Sequence, residues 1–115
     1  DSIIDIDASL QLTGDMEMLR EILAILGKSL LEDREKLKTC FNINDIEETR
    51  KILHRLEGTF CYCIVPKLQN ARGMLDNAVQ KTTQLQGITA LYDAFYREID
   101  RFLMSNAKLK AAGLL

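Results

Sequence analysis

The chain contains a single histidine, His54, and its imidazole is the first candidate for chemistry in this sequence. A neutral imidazole acts as a general base or as a nucleophile near neutral pH. One histidine excludes metal sites that require several, and the sequence has no glycine-rich phosphate loop and no paired-histidine motif. The chemistry of this chain therefore depends on where His54 points.

Helical periodicity places His54 away from the predicted core. The apolar face of the surrounding segment is formed by Ile46, Thr49, Leu53, Leu56 and Phe60. At 100° per residue, His54 lies roughly 120° from the centre of that face. Gly58 follows one turn later, at a position where glycine costs about 1 kcal/mol relative to alanine. We expect an exposed imidazole with open space beside it, where Gly58 has no side chain.

Basic residues lie close to His54 along the chain. Arg50, Lys51 and Arg55 share its helix, and Lys67 and Arg72 belong to the next one. Such residues attract the acidic pocket of a partner protein or neutralise a bound phosphoryl group. From spacing alone, a surface histidine without a function remains an alternative.

The three cysteines, Cys40, Cys61 and Cys63, predict neither a disulfide framework nor a metal site. Their number is odd, which favours a reducing, cytoplasmic compartment. The Cys61-x-Cys63 pair lacks the further ligands that zinc needs, and helical residues two apart point in different directions. We therefore expect three small packing residues and no bound metal.

Composition limits the class of protein. The 115 residues are expected to form one domain, residues 1–115, with 47% apolar and 28% charged side chains. A net charge of -2 argues against a nucleic-acid binder and against a polybasic membrane module. No apolar run approaches the roughly 18 residues of a membrane span. Because the first residue is Asp1 rather than Met, we expect a piece of a longer protein.

The elements that position His54 are predicted to be helices. A short helix over residues 7–12 ends near Gly14, and Asp15 caps a long helix over residues 16–40. After a turn at 41–44, Asn44 and Glu47 form the capping box of a third helix over 45–63. Pro66 suits the first turn of a fourth helix over 65–80.

The last helix is predicted over residues 85–110, after a turn at 81–84 and before a frayed tail at 111–115. Four substantial helices joined by short turns favour an all-α fold, an antiparallel four-helix bundle with a short extra N-terminal helix.

The local sequence around the histidine is recognisable at this point. His54-Arg55-Leu56-Glu57-Gly58 resembles the His-x-Leu-x-Gly signature of histidine phosphotransfer (HPt) domains. The longer stretch 54–68, with Cys-Tyr-Cys and Val-Pro, is similar to the C-terminal HPt domain of BarA/GacS/LetS-type hybrid sensor histidine kinases. The opening Leu10-x-Leu12-x-Gly14-Asp15 and the long second helix also fit that pattern.

The resemblance implies a phosphorelay intermediate. His54 would accept a phosphoryl group from a receiver-domain aspartate and pass it to the receiver of a response regulator. Receiver domains would be the partners, with Mg²⁺ in the receiver and no cofactor in this chain. The isolated domain would be a monomeric cytoplasmic carrier rather than an enzyme. Its parent would be a histidine kinase, a transferase anchored in the bacterial inner membrane.

The sequence departs from the wider family at several positions. Glu57 replaces a frequent lysine, which moves the expected phosphate contacts to Arg55, Lys51 or Lys67. Cys61 replaces a frequent glycine and still leaves room for a partner. Asp76, where many members carry glutamine, is expected to accept a hydrogen bond from the imidazole and fix its tautomer.

Two other functions remain open from the sequence. The first is a helical adaptor that docks proteins without being phosphorylated. The second is an enzyme that uses His54 as base or nucleophile, although the chain has no insertion to form a pocket and no second catalytic group beside the histidine.

Overall fold

A computed structural model describes residues 3–113, and the elements in that range are all helical. The five α-helices of this range are α1 (Ile6–Thr13), α2 (Met16–Ile43), α3 (Ile46–Thr59), α4 (Pro66–Val79) and α5 (Thr89–Ala111). Short 3-10 turns follow α3 at Phe60–Tyr62 and precede α5 at Leu85–Ile88. The fold is therefore all-α in its described part, as predicted.

Aspartate caps set where the first three helices begin. The Asp5 side chain accepts a hydrogen bond from the Ala8 N–H, and the Asp15 side chain accepts one from the Met18 N–H at 2.7 Å. Each bond satisfies an N–H that has no partner within its helix. The predicted roles of Asp15 and of Gly14, a left-handed C-cap with φ 90°, are confirmed. Pro66 lies in the first turn of α4 as predicted, and the helix begins at Pro66 with residue 65 as its N-cap.

The junction between α2 and α3 differs from the prediction. The α2 helix continues through residues 41–43, because Cys40 and Phe41 are buried in the core, and Asn44 ends it in the left-handed conformation with φ 57°. The predicted capping box is wrong. The N-cap of α3 is Asp45, whose side chain accepts from the Glu48 N–H at 3.1 Å.

The third helix is shorter than predicted, since α3 ends at Thr59 and the chain is extended at Cys63. Tertiary hydrogen bonds hold this segment away from helical geometry. The Ile64 N–H donates to Ser9 Oγ at 2.8 Å, and the Ile64 carbonyl accepts from the Asp5 N–H at 2.8 Å. These bonds hold the segment between α3 and α4 against α1 and its N-cap.

The C-terminal part agrees in outline with the prediction. Its first turn, Leu85–Ile88, is 3-10 rather than α-helical, and residue 111 still belongs to α5. The predicted frayed tail lies partly outside the described residues, at positions 114–115.

The long helices pack in a cycle around one core. α2 contacts α3 and α5, α4 contacts α3 and α5, and α1 packs on α2. The largest fully buried side chains include Leu19, Leu23, Leu26, Leu30, Leu37, Leu53, Leu56, Leu68, Phe95 and Phe102. Leu53 and Leu56 are thus buried as predicted. Two charged side chains, Asp33 and Arg72, are buried as well, and periodicity did not predict them. Within residues 3–113, no helix is long and apolar enough to cross a bilayer.

Candidate functional site

His54 is exposed in the middle of α3, as the periodicity predicted. Its neighbours Ile52 and Leu53 are fully buried, so they fix the rotation of the helix about its axis. Gly58 is also exposed, and a Cβ built on it would meet no atom within 4 Å. The imidazole therefore lies on a rigid surface with open space one turn away.

A surface pocket opens beside the imidazole between α3 and the end of α4. It is lined by Arg50, His54, Asp76 and Gln80. The Arg50 Nη2 donates to the carbonyl oxygens of Val79 and Gln80, both at 3.4 Å. These carbonyls belong to the last turn of α4, where the helix dipole favours a cation. One guanidinium is thus held at the wall of the pocket that contains His54.

Arg72 lies beneath this surface, with only 9% of its side chain exposed. Its Nη1 donates to the Leu53 carbonyl at 3.0 Å, and its Nη2 donates to Glu57 Oε2 at 3.0 Å. The Asp76 carboxylate lies 3.5 Å from the Arg72 Nη1. A buried guanidinium needs such partners. Here its partners are the backbone next to His54 and the carboxylates of Glu57 and Asp76.

Sequence reasoning placed Arg72 among the basic neighbours and missed its burial. A signal was present, because Arg72 follows Ala71 and lies one turn after Leu68 and one turn before Asp76. An acid at i+4 lies within reach of the arginine, and an arginine at the edge of an apolar helix face is buried only when it has such a partner.

The hydrogen bond expected between Asp76 and the imidazole is not formed in this structure. Asp76 and His54 line the same pocket, but the carboxylate contacts Arg72 and accepts a hydrogen bond from Gln80 Nε2 at 3.5 Å. The buried guanidinium of Arg72 holds the Asp76 carboxylate instead of the imidazole, because contacts between two charged groups are the stronger ones.

Two of the predicted phosphate contacts have acidic partners elsewhere. The Arg55 Nη2 donates to the buried Asp33 carboxylate of α2 at 2.7 Å. Lys51 forms an exposed ion pair with Glu47 at 3.7 Å. Lys67 is exposed and lines a different groove, between α4 and α5. None of these three side chains lines the His54 pocket.

The cysteines divide into two kinds. Cys40 and Cys63 are buried packing residues as predicted, and burial raises the pKa of both thiols, that of Cys63 to about 11. The prediction is wrong for Cys61, which is exposed after the end of α3, with its Sγ 3.8 Å from the Glu57 carbonyl oxygen. Among residues 3–113, no three histidine, cysteine or acidic side chains lie close enough together to hold a metal ion.

The chain is similar in sequence to part of a known protein. The chain is 37% identical over 70 residues to the sensor histidine kinase GacS of Pseudomonas protegens. The match covers 60% of this chain and 8% of the length of that kinase. No protein-family model and no solved structure matches the chain. The sequence is thus similar to a small region of that sensor histidine kinase.

Proposed function

We propose that this chain is a histidine phosphotransfer domain, a phosphorelay intermediate phosphorylated on His54. The observation that carries the proposal is the exposed imidazole on α3, with the open surface at Gly58 beside it. The similarity to a sensor histidine kinase supports the same class of function. The cycle of contacts among α2, α3, α4 and α5 supports an antiparallel four-helix bundle, with α1 as the short extra helix.

The chemistry requires only a reachable nucleophile from this chain. A ring nitrogen of neutral His54 attacks the phosphorus of a receiver's aspartyl phosphate, and the other ring nitrogen keeps its proton. The N–P bond forms as the P–O bond breaks, and the aspartate carboxylate leaves. Transfer to a second receiver reverses these steps. The receiver supplies its aspartate and Mg²⁺, so positioning and charge neutralisation supply most of the catalysis.

Open space at Gly58 matters because a receiver must bring its aspartate into line with the imidazole. Two receivers use this face in turn, which requires a transient interface of modest area. We further propose that the domain works in the cytoplasm as part of a hybrid sensor kinase and that receiver domains are its partners.

The test is phosphoryl transfer from a receiver. The domain is mixed with a receiver domain phosphorylated on its aspartate with radioactive phosphate, in the presence of Mg²⁺. We expect acid-labile label on the wild-type protein and none on His54→Gln. Because His54 is exposed, this variant should keep the wild-type circular dichroism spectrum and serves as the matched control.

Three outcomes would count against the proposal. Label that persists in His54→Gln would exclude His54 as the acceptor. Absence of label with receivers from several hybrid sensor kinases and their response regulators would favour the docking adaptor. Turnover of a small substrate without any receiver would favour an enzyme.

A further inference from the structure

We propose that Arg50 binds the phosphoryl group carried by His54, an inference that rests on the proposed function and assigns the anion-binding residue of the site. Arg50 lies one helical turn before His54, so both side chains leave the same face of α3. Both also line the same surface pocket. A phosphoryl group on the imidazole would therefore stand beside the guanidinium.

The guanidinium of Arg50 is held in place before any phosphoryl group arrives. Its Nη2 donates to the carbonyl oxygens of Val79 and Gln80 at the end of α4. Arginine has five N–H donors, and within residues 3–113 no hydrogen bond uses Nε or Nη1 of Arg50. Nη2 thus orients the side chain, and Nε and Nη1 remain to donate to phosphoryl oxygens. Arginine binds such oxygens with paired N–H groups.

Arg50 supplies the positive charge that balances the carboxylates around the pocket. Asp76 lies in the pocket and would repel a phosphoryl group, and the single buried guanidinium of Arg72 is shared between Asp76 and Glu57. Arg50 forms no ion pair among the described residues, because its partners are backbone carbonyls.

The other cations on α3 are already neutralised. Lys51 is paired with Glu47, and Arg55 is paired with the buried Asp33. In the described structure, Arg50 is therefore the cation of α3 whose charge is available to a dianionic group on His54. This explains how the site carries a phosphoryl group although the position three residues after the histidine is acidic.

The inference is tested with phosphoramidate, a small phosphoryl donor that needs no receiver domain. A ring nitrogen of His54 forms a bond to phosphorus while the phosphorus–nitrogen bond of phosphoramidate breaks and ammonia leaves. The rate of labelling is followed by ³¹P NMR in the wild type and in Arg50→Gln, Arg50→Lys and Arg97→Gln. Arg97 is an exposed arginine of α5 with no ion pair in the described structure, so its loss changes the net charge equally.

We expect Arg50→Gln to lower the rate of labelling by about tenfold, the scale of one charge-assisted hydrogen bond, and Arg50→Lys to restore part of it. Arg97→Gln should react at the wild-type rate. In the wild type, phosphorylation should also shift the ¹⁵N resonance of Arg50 Nε and leave that of Arg97 Nε in place. A purely structural role at the end of α4 would produce no such shift.

Equal labelling rates in Arg50→Gln and Arg97→Gln, or an Arg50 Nε resonance that does not move, would overturn the inference. So would the failure of phosphoramidate to label His54. If the receiver experiment succeeds while these results appear, His54 is still the phosphoryl acceptor and only the role of Arg50 is wrong. If labelling depends on Arg50 but no receiver transfers to His54, the proposed phosphorelay function is wrong instead.

Discussion

At the scale of single residues, the absence of one side chain shapes the site as much as the presence of the imidazole. Gly58 occupies a helical position where glycine is unfavourable, and no neighbouring atom demands it. The packing of this chain therefore does not explain the glycine. Under the proposed function, access of a partner to His54 would explain it, because any side chain there would stand one turn from the ring.

The substitution Gly58→Ala should affect the stability of the fold and the access of a receiver to His54 in opposite directions. We expect the free energy of unfolding to rise by about 0.5–1 kcal/mol, because alanine favours the helix and its Cβ meets nothing. Transfer from a receiver should slow in the same variant. Urea unfolding and the transfer assay measure the two effects.

Gly27→Ala is a contrasting variant, because Gly27 is a buried helical glycine whose added Cβ would meet neighbouring side chains. Its Cβ would lie 3.3 Å from Asn106 Nδ2 and 3.7 Å from Leu103, so part of the helical gain should be lost to that contact. A less stable Gly58→Ala protein, or one that accepts phosphoryl groups faster than the wild type, would contradict the prediction.

At the scale of elements, the site depends on how α3 and α4 are joined. The Arg72 guanidinium of α4 contacts the Leu53 carbonyl, Glu57 and Asp76, so one side chain links the backbone beside His54 to the pocket wall. Arg55 and the buried Asp33 join α3 to α2 in the same way. The helix that carries the imidazole is thus fixed on both sides by arginine–carboxylate contacts.

Arg72→Met tests this junction. We expect the free energy of unfolding to fall by about 2 kcal/mol, because the Leu53 carbonyl and the half-buried Asp76 lose their partner. The free energy of unfolding of Arg72→Lys should lie between those of Arg72→Met and the wild type, since an ammonium cannot reproduce the planar guanidinium. Equilibrium urea unfolding measures these free energies. A loss below about 0.5 kcal/mol in Arg72→Met, which is typical of a surface substitution, would show that Arg72 does not stabilise the contact between α3 and α4.

The turn between α2 and α3 provides a second test at this scale. Asn44 holds a left-handed conformation, and its side chain accepts from the Leu85 N–H at 2.8 Å and donates to the Thr83 carbonyl at 3.3 Å. Asn44→Ala should cost about 2 kcal/mol, from backbone strain and lost hydrogen bonds.

Asn44→Gly removes the backbone strain and still loses the hydrogen bonds, so it should be destabilised by less. Thermal unfolding of both variants checks this order. A glycine variant as unstable as the alanine variant would show that strain contributes nothing at this turn.

At the scale of the whole molecule, burial opposes ionisation most strongly at two groups, the buried Cys63 thiol and the half-buried Tyr92 phenol. Burial raises the pKa of Cys63 from 9.0 to about 11 and, first among several causes, raises that of Tyr92 from 10.0 to about 12. Both groups are neutral when protonated, so the folded state holds their protons more tightly than the unfolded state does. Their contribution to stability is complete below the unfolded pKa and is lost as the pH rises through the folded pKa.

We therefore expect the midpoint of urea unfolding to fall between pH 9 and pH 11 as the Cys63 thiol of the unfolded chain ionises. The Tyr92 contribution should be lost between pH 10 and pH 12. Cys63→Ala should be less stable at neutral pH, because of the cavity, and should show a shallower decline from pH 9 to pH 11. An unchanged midpoint over that range in the wild type would contradict the prediction.

What the sequence determined by itself was local. Helical periodicity placed His54 away from the buried face of α3, and Gly14, Asp15 and Pro66 marked helix ends correctly. These features depend on neighbours within one or two turns, so a single sequence contains the information. The role of His54 as phosphoryl acceptor comes from the resemblance and stays a prediction.

Only the tertiary structure decided the features that depend on distant partners. Asn44 became a C-cap because Leu85, 41 positions later, lies within reach of its side chain. Arg72 is buried because the Leu53 carbonyl, 19 positions earlier, accepts its N–H, and that contact takes Asp76 away from the imidazole. Local propensity allows several conformations and partners at such positions, and the packing of remote helices selects one of them. The physical reason is that a buried polar group must find a hydrogen-bond partner wherever the fold provides one.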